Sequence, residues 1–435
     1  MSAVRVPDIL LRVSPKMLER YQSLAVAGAG RGRVVPLPYT FSRADASTCA
    51  TLVDRNGVIR LSAANVPRIS CVDLDGDGVR ETSTIRLNGS RANGWDRSEE
   101  VDHANWAKTG ATVSANGLIA PDGTTTGDKL IESALNEFHY FQRNTPTLTN
   151  NTRTTVSVFV RKSERSWFQI NTIDKAGVGR ATWFSDGAIG TKNSGHDAWV
   201  VSRHFDAFGA VWYRYAVSFD SASGGAAPLV QFLMALSDGG GSYAGNGDYG
   251  MFFWGMMIEV DKPFPSSYIK TTTATVTSAT DSLTVPFNFG PMDLTSLVTV
   301  ARPVWADASG SLGVNPTLFQ LGAIPHVRVN GLSTVRQLQS NIDTGGTDQD
   351  VVDNIPAGTS LALCTQIRNL TTNGRVKQDI GSGFGTESGI ASTVPAFGSQ
   401  TLSIGSGILQ NLDGDLIDLI IARGLYSRQE MLAIP

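Results

Sequence analysis

The stretch Asp73-Leu-Asp-Gly-Asp-Gly-Val-Arg-Glu81 sets four carboxylates on a glycine-rich loop, at positions 1, 3, 5 and 9. Oxygen donors in that spacing are what calcium selects, so Asp73, Asp75, Asp77 and Glu81 are the candidate metal ligands, with the Val79 carbonyl beside them. A helix–loop–helix calcium site also needs a bidentate Glu at position 12, which here is Thr84, and flanking helices, which this sequence does not offer. The loop therefore has two readings: a weak calcium site on a hairpin, or a Gly-Asp turn that needs no metal. Its flanks, VPRISCV and TSTIRL, are strand-like, so a chain reversal is required either way.

Aromatic residues offer a second chemistry. Sugar rings stack their C–H faces on Trp and Tyr, while hydroxyls are read by amides, carboxylates and Arg. Seven of the eight tryptophans lie between Trp95 and Trp254, and most must be core. Trp183, near a Gly/Asp turn, and Trp199, beside His196 and Asp197, are best placed for exposure. Trp183, Trp199, His196 and Asp197 are thus the candidate carbohydrate-binding residues.

Catalytic patterns are missing from the sequence. It has no HExxH, no GxSxG, no P-loop and no GxGxxG after a strand, and the Gly381–Gly385 tract is followed by no helix pattern. The five histidines are dispersed. Glu99 and Glu100 are adjacent, so on a strand they face opposite ways and do not flank one glycosidic bond. The expectation is a protein without catalytic residues.

These groups must be positioned by β-structure. Net charge is -3, which leaves no footprint for nucleic acid or acidic membranes, and 45 glycines among Thr, Ser and Asn favour short strands and turns. Cys49, Cys71 and Cys364 make an odd, unspaced set, read as free thiols from a reducing compartment. The opening MSAVRVPDILLRV is a poor signal peptide, and no apolar run is long enough to cross a membrane as a helix.

Ser14-Pro15 followed by KMLERYQSLAVAG predicts a short helix stopped by Gly28. Next come ATLVD and VIRLSA around an Arg55-Asn56-Gly57 turn. From Trp95 to Ile269, strands follow one another with period 2: Val156, Val158 and Val160 share one face, as do Tyr213, Tyr215, Val217 and Phe219. The Thr/Ser-rich 270–282 stretch separates this block from a second, where DLIDLIIARG reads as a buried strand and Ser427 with Glu430 as a capping box. The expected fold is all-β: two tandem β-sandwich or jelly-roll domains (95–272 and 278–435), preceded by a helix and linker (1–40) and a small β module (41–94).

In order along the chain, NWAKTGATVSANGLIAPDGTTTGDKLIES, TTVSVFVRKSERSWFQI, VWYRYAVSF and FFWGMMIEVDKPFPSSYIKTT resemble the carbohydrate-binding-like jelly rolls of tailed-phage head-spike, head-fibre and tail-fibre proteins. Trp106, Asp122, Gly123, Asp128, Trp212, Arg214, Trp254, Glu259 and Tyr268 match that pattern and are read mostly as scaffold; Gly127 and WGMMIE depart from it. Residues 278–435 resemble, more loosely, a laminin-G or concanavalin-type sandwich. The resemblance implies a virion or phage-like particle surface protein, made in the host cytoplasm and released by lysis. Its N-terminal segment would attach to capsid or tail proteins, it would bind host surface glycans to promote adsorption, and it would form a homo-oligomer. Nucleic-acid binding and membrane insertion are not expected. The alternative reading is a polysaccharide-degrading enzyme or its ancillary carbohydrate-binding module.

Overall fold

Alternating apolar and polar residues between closely spaced turns give a chain that is nearly all β. The computed structural model describes residues 8–15, 24–27, 34–37, 39–44, 49–74, 79–205, 211–288, 294–301, 303–308, 315–321, 326–330, 337–341, 350–355, 360–370, 373–379, 399–405, 412–423 and 425–434. The chain divides into two units. One, called here the aromatic unit, holds residues 45–63 and 91–278; the other, the split unit, holds 1–44, 64–90 and 279–435.

Twelve strands build the two main sheets of the aromatic unit. In chain order they begin with β1 (Ala107–Thr109), β2 (Ala111–Leu118), β3 (Gly127–Glu132), β4 (Tyr140–Asn144), β5 (Thr152–Arg161) and β6 (Trp167–Ile173). They continue with β7 (Gly179–Ser185), β8 (Ala188–Lys192), β9 (His196–Phe205), β10 (Val211–Ser221), β11 (Leu229–Ala235) and β12 (Gly250–Glu259). The first sheet runs β1-β4-β11-β6-β7-β8 and the second β2-β3-β12-β5-β10-β9, antiparallel throughout.

The sheets meet through their apolar faces. Val156, Val158, Val160, Tyr215, Val217 and Phe219 of the second sheet pack with Phe141, Phe168, Phe184 and Phe232 of the first. Ring edges lock the layers at 5.0 Å for Phe168–Tyr215 and 5.1 Å for Phe141–Phe253, each pair contributing about 1 kcal/mol beyond its buried area.

The other face of the second sheet is covered too. Phe159, Trp212, Trp254 and Met257 pack there against Cys49, Ile59, Ala120, Tyr268 and Ile269. Trp212 Nε1 donates to the Ile119 carbonyl at 3.0 Å and Trp254 Nε1 to Thr126 Oγ1 at 2.9 Å, clamping the turn between them. A Cβ at Gly127 would lie 3.0 Å from the Trp212 ring, so the indole packs directly on backbone there.

Gly255 shows why the Trp-Gly pair opens its motif. The β5–β12 register slips between Ser157↔Met257 and Phe159↔Trp254, and Gly255 takes φ +65° at that bulge. An added Cβ would sit 2.7 Å from the Phe159 ring. Gly255→Ala is expected to destabilise the unit by about 2–3 kcal/mol through left-handed strain plus overlap, read as a lower urea midpoint. An unchanged midpoint would rule out a strained bulge.

In the split unit, among the described residues, the larger sheets have nine and seven strands. Gly414–Arg423, the expected buried strand, pairs with Asp8–Val13, with Leu294–Ala301 and with Thr82–Leu87. The expected capping box is present: Ser427 Oγ accepts from Glu430 N at 3.2 Å, and Ser427 N donates to Glu430 Oε2 at 2.8 Å. Met431 on that terminal turn is fully buried with Leu297, Cys364 and Ile420.

Two expectations need revision. Residues 16–23, the centre of the expected N-terminal helix, lie outside the described residues, and Leu24–Ala27, expected to complete it, instead form a strand paired with Val34–Leu37 and with Asp8–Val13. Pattern alone was a weak guide because a sheet edge supplies partners that a lone helix lacks. Residues 41–94 do not stand together: the Thr51–Val53/Ile59–Leu61 hairpin belongs to the aromatic unit, and the Arg68–Val72/Thr82–Leu87 hairpin to the split unit. A two-stranded hairpin is marginal alone, and each is completed within its own unit, Ile59 N bonding the Pro121 carbonyl at 2.9 Å and Ile85 pairing with Leu416.

Candidate functional site: an amide and aromatic sheet face

Of the four residues expected to contact sugar, three are buried. His196 is 3% exposed; its ring lies between the hydroxyls of Thr172, 2.8 Å from Nε2, and Thr182, 2.9 Å from Nδ1. Burial, with Arg180, Arg153 and Lys192 nearby, pulls its pKa down to about 3, so the ring is neutral. Asp197, on the opposite face of β9, pairs with Arg153 at 2.9 Å. Trp199 is 4% exposed and faces Ala216 across the ladder. The polarity of His196 and Asp197 suggested exposure for Trp199. These residues lie on a buried stretch of strand where His196 bonds two threonines and Asp197 pairs with Arg153, so Trp199 is no exposed stacking platform.

Trp183 is different. It lies half-buried on β7 with its side chain on the face of the first sheet that points away from the core, and its Nε1 donates to the Gly240 carbonyl at 2.8 Å. The inward residues of that sheet, Phe141, Phe168, Phe184 and Phe232, fix the alternation, so their neighbours point out.

Register groups those neighbours into cross-strand rows. One is Tyr140–Leu233–Gln169–Trp183. Two residues along lies Gln142–Gln231–Asn171–Ala181, then Asn144–Leu229–Ile173–Gly179. In the middle row Asn171 Nδ2 donates to Gln231 Oε1 at 2.6 Å, and Gln231 Nε2 donates to Gln142 Oε1 at 2.8 Å. The three amides are half-buried and hydrogen-bonded into a ladder.

The loop after β11 borders this face. Asp238 accepts from Thr191 N at 2.7 Å and from Thr191 Oγ1 at 3.0 Å, and Gly240 holds Trp183. Gln169 and Leu233 are 8% and 5% exposed in the aromatic row, while the amides of the next row are more open. The result is a polar shelf edged by two aromatic rings, with amide groups fixed for reading hydroxyls.

Tyr140, Gln142, Asn171 and Gln231 were missed in the sequence. Their signal was there, in YFQRN, WFQINTI and LVQFLMA, where amides alternate with core residues. The order of strands that aligns them was not.

The loop proposed for calcium is only partly described: Asp75 and Asp77 lie outside the described residues. Its flanks do form the expected hairpin, Val72 opposite Thr82, and Glu81 Oε1 accepts from Leu74 N at 3.3 Å. Among the described residues no three His, Cys, Asp or Glu side chains gather as a metal-binding group.

Buried carboxylates elsewhere in the aromatic unit are tied to the scaffold. Asp128 accepts from Val101 N at 2.7 Å and Asn116 N at 2.8 Å, and burial pushes its pKa up to about 6. Burial also raises Glu99, which is bonded to Lys270 at 2.6 Å and Tyr268 at 2.9 Å. Glu132 receives Arg165, Tyr243 and Asn246 N.

No family model matches the chain, and no curated protein matches it. Among solved structures, domains LG4-5 of the mouse laminin alpha1 chain match at 10% identity with a TM-score of 0.18, covering 66% of this chain and 85% of that one. So loose a superposition carries no argument about fold or function.

Proposed function

We propose that the protein is a structural surface protein of a phage-like particle, a head spike, head fibre or tail fibre, that holds host cell-surface polysaccharide to promote adsorption. The observation that carries the glycan reading is the Gln142–Gln231–Asn171 ladder beside half-buried Tyr140 and Trp183 on one outward sheet face. The jelly-roll likeness of residues 95–272 supports the particle. Binding without cleavage is favoured because Asp128, Glu99 and Glu132 are engaged by backbone or cationic partners.

Incubation with host capsular polysaccharide tests this. Retention of intact polymer is expected; release of oligosaccharide, abolished by one carboxylate substitution, would replace the adhesin with a polysaccharide-degrading enzyme. Trp183→Ala is expected to weaken retention about tenfold, as for a stacking residue. Trp199→Ala should instead cost stability, about 3–5 kcal/mol, and leave retention by the folded protein unchanged. The reverse pattern would move the site to the strand that carries Trp199.

A further inference from the structure

The outward face of the first sheet carries a chemical restriction that goes beyond sugar binding. No Asp, Glu, Lys or Arg stands in the three cross-strand rows above or in the Ala235–Trp167–Ser185 row beyond them; the polar groups of the three rows include the amides of Gln142, Gln169, Asn171, Gln231 and Asn144 and the Tyr140 phenol. Nearby charges are engaged: Asp238 by Thr191 and Arg180 by Asp174 at 2.8 Å. A uronate, phosphate or sialate on a ligand would lose water there and meet no cation, which is costly. Hydroxyls would meet what they need. After the two ladder bonds, each amide nitrogen keeps an N–H to offer, and Asn171 Oδ1 remains an acceptor.

The spacing adds a length requirement. Tyr140 and Trp183 are separated by three strand steps, roughly 14 Å at the usual strand spacing. Rings stacked at both ends must belong to one chain laid across the strands, with the amide row alongside it. We propose, resting on the glycan reading above, that this face selects an extended, uncharged polysaccharide and rejects acidic ones.

Affinity electrophoresis with polymer in the gel tests the class. Glucomannan, galactan and dextran serve as uncharged probes, and alginate and hyaluronate as acidic ones. The full chain should be retarded by at least one uncharged polymer, equally at low and high ionic strength, and short fragments should compete less well than long ones. Gln231→Leu should weaken retardation about tenfold, the loss of one to two hydrogen bonds to the polymer, in a variant that still unfolds cooperatively. Gln142→Leu gives the same readout if the first variant folds poorly. Retardation by alginate or hyaluronate alone, lost at high salt, would overturn the uncharged class while leaving glycan binding intact. Retardation by none of the five would overturn the glycan reading of this face as well.

Discussion

Asp281→Ala is expected to cost the split unit roughly 3–5 kcal/mol, a large part of the 5–15 kcal/mol typical of a domain. The Asp281 carboxylate is fully buried between two guanidiniums: Oδ1 lies 3.4 Å from Arg43 Nη1, and Oδ2 accepts from Arg68 and, at 2.8 Å, from Asn88 N. Arg43 and Arg68 side chains are 0% and 1% exposed. Burial pulls the Arg68 pKa down, and the neighbouring carboxylate opposes that. Removing Asp281 takes a buried counter-charge away from both guanidiniums. The backbone of Asn88 loses an acceptor as well.

A comparator makes the result interpretable. Asp415 also accepts from an arginine, Arg86, and from Thr84 Oγ1 at 2.9 Å, but the Arg86 side chain is 24% exposed. Water can take over part of that interaction, so Asp415→Ala should cost less than Asp281→Ala. Urea unfolding of both variants decides the matter. Equal losses, or a loss below about 1 kcal/mol at Asp281, would show that the buried carboxylate is not what holds its two arginines.

Asp281 also shows where sequence reading stops. It is the penultimate residue of KTTTATVTSATDS, a stretch whose composition reads as a separator, and one of the boundaries between the two units lies at 278/279. Its role as a charged anchor depends on Arg43 and Arg68, more than two hundred residues away, and no local pattern encodes that pairing. Period 2 located the faces of β5 and β10 because each face needs only its own strand. The capping box at Ser427 and the Gly57 turn were legible for the same reason. The candidate site was not, because Gln142, Gln231 and Asn171 come from three strands whose adjacency in the sheet, β4-β11-β6, differs from their order in the chain. Trp183, singled out from its surroundings, lies half-buried on the outward face; Trp199 misled because a polar neighbour marks a buried hydrogen bond as readily as an exposed position.

His196 carries the second large effect, on pH. In the unfolded chain an imidazole takes up its proton near pH 6.5, whereas in the fold burial holds it back until about pH 3. Between those values the unfolded state binds more protons, so stability is full above pH 6.5 and falls as the pH drops. Across the whole window the contribution of this one ring is on the order of 5 kcal/mol. Protonation also forces both ring nitrogens to donate, and Thr172 and Thr182 must then both accept. His196→Gln removes the titration while placing a neutral amide between Thr172 and Thr182. It is expected to lose about 1–2 kcal/mol at pH 7, from an imperfect hydrogen-bond match, and to remove this ring's downward slope from the melting-temperature curve between pH 6.5 and 4. Asp128 works in the opposite direction over part of the range: its carboxyl, raised to about 6, favours the folded state as pH falls from 6 towards 4. The two slopes partly cancel in the native protein, so the variant should become more stable on mild acidification, where the native protein is nearly level or declining. A variant curve parallel to the native one would mean that His196 titrates normally, and that the two threonine hydroxyls do not hold a neutral ring.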